Sequence, residues 1–411
     1  MSNQNAIQTG NEGSFLDAGR NYIARVKGGE TGSLPALLGL VILATIFAVA
    51  NPIFLKPINF ANLLTQTATV TTLAMGLTFV LLLGEIDLSA GVTAGLSAAF
   101  LAITMSDYGV AWPIAAVIAI SMGMLIGFLI GLLVAKVGIP SFVVTLAAFL
   151  AFQGLQLVVV GKGGLIGIDA PPILAIMNTP MPLAFGWILL AIVFLSYLGT
   201  SIYSRRQRTS SGQQNKPLGI LVFRSAVILV VGAGFVSFLN VERGANPAVT
   251  SLRGVPYVVP LILFLLAVGT FVLGRTAFGR HIYAVGGNAE AARRAGINVK
   301  RVRISAFVIC SSLAAVAGMI FASRQNSISP TTGGSSTLLY AVGAAVIGGT
   351  SLFGGKGKMR DAILGGLVVA VIDNGMGLLG YAAGIKFIVT GLVLLVSAGV
   401  DAVSRRGSSV S

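Results

Sequence analysis

The sequence predicts an all-α polytopic membrane protein, and three observations carry that prediction. Hydrophobic residues make up 55% of the chain and charged residues only 9%. The mean hydropathy is +0.92. Apolar runs recur from Leu34 to Val400, and at roughly 20 residues per crossing they supply about twelve candidate spans, more than a soluble core could bury. The runs are too long for membrane-barrel strands and lack strict alternation. Helices satisfy their own backbone groups in lipid, and the 53 glycines allow them to pack closely.

In chain order, residues 1–33 are polar, with Gly, Asn, Ser and Thr throughout. The run that follows is long and has no Ala-x-Ala-type cleavage site after it, so the reading is a cytoplasmic tail and a retained first span. Spans are expected at 34–55, 60–84, 88–105, 111–135, 141–160, 183–203, 224–239, 256–274, 304–323, 338–352, 362–379 and 385–403. The membrane region is then 34–404, interrupted by a basic insertion at 204–217 and a basic loop at 275–303, with a C-terminal tail at 405–411.

The net charge of +15 could point to nucleic acid. The placement of the basic residues argues otherwise. With both termini inside and twelve spans, 21 of the 27 Lys and Arg residues fall on the cytoplasmic side. Lys56, Lys162, Arg243, Arg253, Arg324 and Lys386 fall outside. That asymmetry is what the positive-inside rule demands, and it accounts for the charge without a nucleic-acid partner.

Catalytic chemistry is sparse. Cys310 and His281 are each the only residue of their kind, which removes intrachain disulfides, cysteine metal sites and Cys-His or Ser-His-Asp arrangements. Lys162 and Lys356 sit in glycine clusters, yet each is followed by Gly, and Gln156 or Thr350 stands six residues before it, so neither is a P-loop. No cofactor site is expected. If ATP drives this protein, another chain binds it.

The 275–303 loop carries seven basic residues from Arg275 to Arg303 and a designed-looking short helix over 289–295. Asn288 can cap it, Glu290 sits at its positive end, Arg293 and Arg294 sit at its negative end, and Gly296 ends it. Glu290 and Arg294 also form a favourable i, i+4 pair. A plain charge anchor would need none of these caps.

The stretch GRHIYAVGGNAEAARRAGI, followed by AVIGGTSLFGGKGK, with GEIDLSAG at 84–91 and GIPSFVVTLA at 138–147, resembles the permease subunits of bacterial ATP-binding-cassette importers for monosaccharides. The resemblance covers about 59–401. The paired runs across 183–239, split by SRRQRTSSGQQNKP, together with RGVP at 253–256 and IDNGM at 372–376, are similar to the D-xylose branch. Ala90 and Phe353 depart from the usual Val and Ala.

The resemblance implies a multi-pass protein of the bacterial inner membrane that carries a monosaccharide and is not itself an enzyme. Its partners would be a cytoplasmic ATPase with two cassettes, a periplasmic sugar-binding protein, and a second permease copy, giving a homodimer. Gly286, Gly287, Asn288, Glu290, Ala291, Arg294 and Gly296 would form the coupling helix in a groove of the ATPase. The competing class is a proton- or sodium-coupled secondary carrier, which would need ionisable groups within the bilayer. Glu85, Asp87 and Asp373 are the candidates.

An internal echo suggests two related halves. GEIDLSAG at 84–91 and GGTSLFGG at 348–355 share Gly, Leu and Gly at matching positions. Each ends one apolar run and begins another, so each is either a packing turn or a break that lines a path for a hydroxyl-rich sugar. The path candidates are Glu85, Asp87, Ser89, Asp373 and Asn374. Asp87 could meet sugar hydroxyls or, alternatively, cap the helix beginning near Ser89.

Overall fold

The computed structural model describes residues 33–161, 164–213, 215 and 218–408. The expected N-terminal tail before Ser33, Lys162, Lys216 and the last three residues of the expected C-terminal tail lie outside the described residues.

Each predicted apolar run is helical for most of its length. α1 is Leu34–Ala50, followed by a single 3-10 turn at Pro52–Leu55. α2 is Pro57–Leu81, α3 Ala90–Ser106, α4 Trp112–Leu132 with a π turn at Leu133–Val137, and α5 Ser141–Val160. A short α6, Pro171–Asn178, precedes the pair α7, Leu183–Ser210, and α8, Leu218–Leu239. α9 is Val258–Arg275, α10 Ala277–Gly287, α11 Ala289–Arg294 and α12 Val299–Gln325. α13 is Ser335–Gly348, α14 Met359–Leu378 and α15 Ala383–Ser408. Two short strands, β1 at Ile166–Gly167 and β2 at Ser327–Ile328, pair antiparallel.

Among the described residues, eight helices are long and apolar enough to cross a membrane. α1, α3, α13 and the Ala383–Gly399 part of α15 are apolar but shorter. The expected twelve spans therefore become eight full-length helices and four short ones. The run expected at 338–352 stops at Gly348, because the glycines and Ser351 that follow take an irregular path. α7 continues through the first half of the expected 204–217 insertion, and α15 continues past 403 into the expected tail. Charged residues end an apolar run without ending a helix.

The chain divides into two compact units. In the unit of Gly32–Pro180 with Pro256–Val403, α12 is the central helix, packed on α4, α2 and α3. The α4–α12 seam is a glycine stripe: Gly123, Gly127 and Gly131 lie against Ser311, Phe307 and Ile304. A Cβ at Gly131 would stand 2.8 Å from the Ile304 Cα, so the two backbones touch. Lipid provides no hydrophobic drive between helices, and such close backbone packing supplies the attraction instead. α13 and α14 meet the same way, Gly365 lying against the Ala344 backbone, and Gly366 seats Thr71 of α2.

In the other unit, which includes Met181–Val255, α7 packs on α8 and the 240–254 loop closes on itself. The Glu242 carboxylate accepts from Gly244 N (2.9 Å), Leu252 N (2.9 Å), Ser251 Oγ (2.7 Å) and Arg253 Nε (2.8 Å). The Arg243 guanidinium donates to the carbonyls of Leu239 and Gly254.

Candidate functional site

The 275–303 loop is two helices, where one was expected. Thr276 caps α10 by accepting from Gly279 N at 3.1 Å. Phe278, Ile282 and Val285 then fall at helical spacing, and Ile282 and Val285 are buried. That stripe, preceded by a capping Thr, is the signal that would have revealed α10 in the sequence. Gly286 and Gly287, expected as part of the coupling helix, fall instead at the end of α10.

α11 follows as expected. Asn288 Oδ1 accepts from Ala291 N at 2.9 Å. Glu290 pairs with Arg293 and, at 3.2 Å, with Arg294. Ile297 N returns to Ala292 O at 3.0 Å, which closes the last turn around Gly296. Asn298 Oδ1 accepts from Arg301 N at 3.0 Å and starts α12. Ala292 is buried beneath the helix, whereas the Arg293 and Arg294 side chains are 70% and 80% exposed. Arg275, Arg280, Lys300 and Arg301 are exposed as well. This surface is basic and held in place from below.

Below it, the two echoed motifs meet. Gly355 N donates to Leu82 O at 2.8 Å. Gly84, at φ +73°, lies against the Phe353 carbonyl, and Gly354, at φ +84°, lies against Gly84 and the Gly286 carbonyl. Both conformations favour glycine strongly. Gly286 of α10 sits over the same point, where a Cβ would run into Leu82 O and stand 2.9 Å from Gly355 N. The Tyr283 hydroxyl donates to Gly357 O at 2.7 Å. Burial, with a smaller contribution from the Asp361 charge, pushes the Tyr283 hydroxyl pKa further up from its already high ordinary value.

The segment after α2 then runs inward along α12. Glu85 pairs with Arg303 at 3.0 Å, Asp87 interacts with Cys310, and Ala94 lies on Gly318. Seven residues separate Arg303 from Cys310, about 10 Å of helix. Asp87 is wholly buried, and its Oδ1 accepts from Ser89 N at 2.9 Å and Ser89 Oγ at 2.6 Å. Ser89 is the residue before α3 and does not itself cap by side chain. Asp87 thus closes a turn that leads into α3 and exposes no surface.

Asp373 and Asn374 lie elsewhere. Asp373 pairs with Lys386 at 3.3 Å and is close enough to act on Arg324 near the far end of α12. Asn374 exchanges amide hydrogen bonds with Asn59 of α2 at 2.9 and 3.0 Å. The expected path residues are therefore two groups, one at each end of α12. Gln156, absent from the expected set, donates to the carbonyls of Ser329 and Thr332 and holds the chain entering α13 against Gly95 of α3.

Comparison with known proteins assigns the chain. Residues 59–398 match the family described as the permease component of branched-chain amino acid transport systems. The chain belongs to this permease family. It is 36% identical over 355 residues to the xylose transport system permease protein XylH of Escherichia coli, covering 86% of this chain and 87% of the relative. It is 33% identical to the XylH of Haemophilus influenzae, covering 90% and 96%. It is 35% identical to the ribose import permease protein RbsC of Bacillus subtilis, covering 91% and 94%. No solved structure matches. The permease is a multi-pass protein of the bacterial inner membrane.

Proposed function

We propose that this permease is the transmembrane subunit of an ATP-binding-cassette importer that carries a monosaccharide, with D-xylose the first candidate. One observation carries the reading: a capped basic surface helix, α11, built next to the junction of the two helix breaks. The surface suits an acidic groove on a cytoplasmic ATPase, and nucleotide-driven motion of α11 would reach the spans as a rigid displacement. The similarity to xylose and ribose permeases supports a sugar cargo delivered by a periplasmic binding protein, and the same subunit arrangement favours a homodimer. A secondary carrier fits less well, since Glu85 and Asp373 are each ion-paired and Asp87 closes a turn.

The decisive experiment reconstitutes the permease in vesicles with its ATPase and binding protein. Hydrolysis should rise with the sugar-loaded binding protein across a panel of D-xylose, D-ribose and L-arabinose, most with D-xylose. Uptake that follows an imposed proton or sodium gradient without ATP would overturn the importer reading.

A further inference from the structure

We propose that α10 is a shared seat tying α11 to both helix breaks at once, and that Tyr283 is the positioning residue that makes the second tie. The proposal rests on α11 being the ATPase-docking helix. Three observations support it. α11 is a six-residue helix with few packing contacts of its own and is separated from α10 by Asn288 alone. Displacement of α11 must therefore pass through α10 or through the start of α12. On the α12 side, Arg303 grips Glu85, so motion reaches the break after α2. On the α10 side, Gly286 rests on Leu82 and Gly355 together, and Tyr283 grips Gly357 within the 349–358 break.

The two breaks are themselves joined by the bond from Gly355 N to Leu82 O. Tyr283 adds a side-chain hydrogen bond to the glycine-backbone contacts that link the 349–358 segment to α10. With it, the turn before α14 and the turn before α3 follow one body. That arrangement gives the sequence echo a mechanical meaning: each half offers one glycine-rich break, and the same helix rests on both.

Tyr283→Phe removes only the hydroxyl and is the cleanest test. In the reconstituted complex we expect ATPase copurification, basal hydrolysis and thermal unfolding of the permease to stay at wild-type values. D-xylose moved per ATP hydrolysed should fall about threefold to tenfold, the fold-change that loss of one neutral hydrogen bond represents. An unchanged ratio, or a parallel loss of stability, uptake and hydrolysis, overturns the proposal and leaves Tyr283 a packing residue. Glu290→Lys separates the underlying reading from the seat. If it leaves copurification and the ratio intact, α11 is not the docking helix and the proposal falls with that reading. If it uncouples transport while Tyr283→Phe does not, only the seat falls.

Discussion

Asp87 shows how a single buried carboxylate can be assigned by its partners. Its Oδ1 already holds Ser89 N and Ser89 Oγ, and Cys310 of α12 lies beside it. Burying a carboxyl group is costly, so its retention needs a reason, and the turn into α3 is the reason on view. Asp87→Asn keeps the acceptor at Oδ1, and stability and sugar selectivity should both stay near wild type. Asp87→Ala removes the turn's acceptor and should cost about 1–2 kcal/mol in thermal unfolding of the detergent-purified protein. Altered selectivity in Asp87→Asn at normal stability would return the carboxylate to the sugar path. Glu242 is the contrasting case, an acid held ionised. The Ser251 hydroxyl first, then the amides of Gly244 and Leu252, lower its pKa from 4.5 to about 2. A depressed carboxylate contributes stability that is fully present above its unfolded value and is lost as pH falls toward its folded value. Hydrogen exchange should therefore find the Gly244 and Leu252 amides protected at neutral pH, with protection fading below about pH 4.5 and gone near pH 2. Flat protection down to that limit would mean that the loop does not depend on the carboxylate. The sequence showed Asp87 as a choice between two roles. It could not show that Asp87 is sealed, because sealing depends on α12, more than 200 residues away.

At the scale of elements, glycine decides where helices touch. Gly127 on α4 faces the Phe307 carbonyl and a Cβ there has no room, whereas Gly154 on α5 has nothing within 4 Å. Gly127→Leu should separate α4 from α12 and destabilise the permease by about 3 kcal/mol or more, because an overpacked backbone seam has no side chain to move aside. Gly154→Ala should be neutral or stabilising by up to about 1 kcal/mol through helix propensity. Comparable unfolding temperatures for the two variants would show that the stripe is not what holds the seam. α11 offers the parallel test of function. Glu290→Lys replaces two ion pairs with like-charge repulsion, and Gly296→Pro destroys the turn that closes the helix at φ +83°. Both should insert normally yet show ATP hydrolysis uncoupled from uptake, and wild-type uptake at equal expression would remove α11 from the coupling role. α11 was readable in advance because caps and charges are local in sequence. α10 was just as local, with its Thr276 cap and its stripe of Phe278, Ile282 and Val285, but the basic residues around it look like loop and masked the stripe.

For the molecule as a whole, the apolar runs were readable because a span leaves its length and composition in the chain, and α5 was placed to the residue at Ser141–Val160. The breaks were marked by glycine yet not resolved, since whether a run stops at Gly348 or continues to 352 depends on what packs around it. The meeting of the two echoed motifs beneath α10 has no local signature, although the echo itself hinted at corresponding positions. Sidedness is the global property that remains to be measured, and charge makes a definite forecast. With both termini, the 204–217 insertion and the 275–303 loop in the cytoplasm, 21 basic residues lie inside, as the positive-inside rule requires. Single cysteines at Ser211 and Asn288, in a Cys310→Ser background, should resist an impermeant thiol reagent in intact cells. Both positions are exposed in the fold, so resistance would reflect the membrane and not burial. Val249→Cys supplies the opposite control: the residue is 79% exposed in the loop expected at the outer face, and it should label without permeabilisation. After permeabilisation all three should react. Labelling of Ser211→Cys or Asn288→Cys from outside would mean that one of the short helices before them, α1 or α3, fails to cross, and α11 would then face away from any cytoplasmic ATPase.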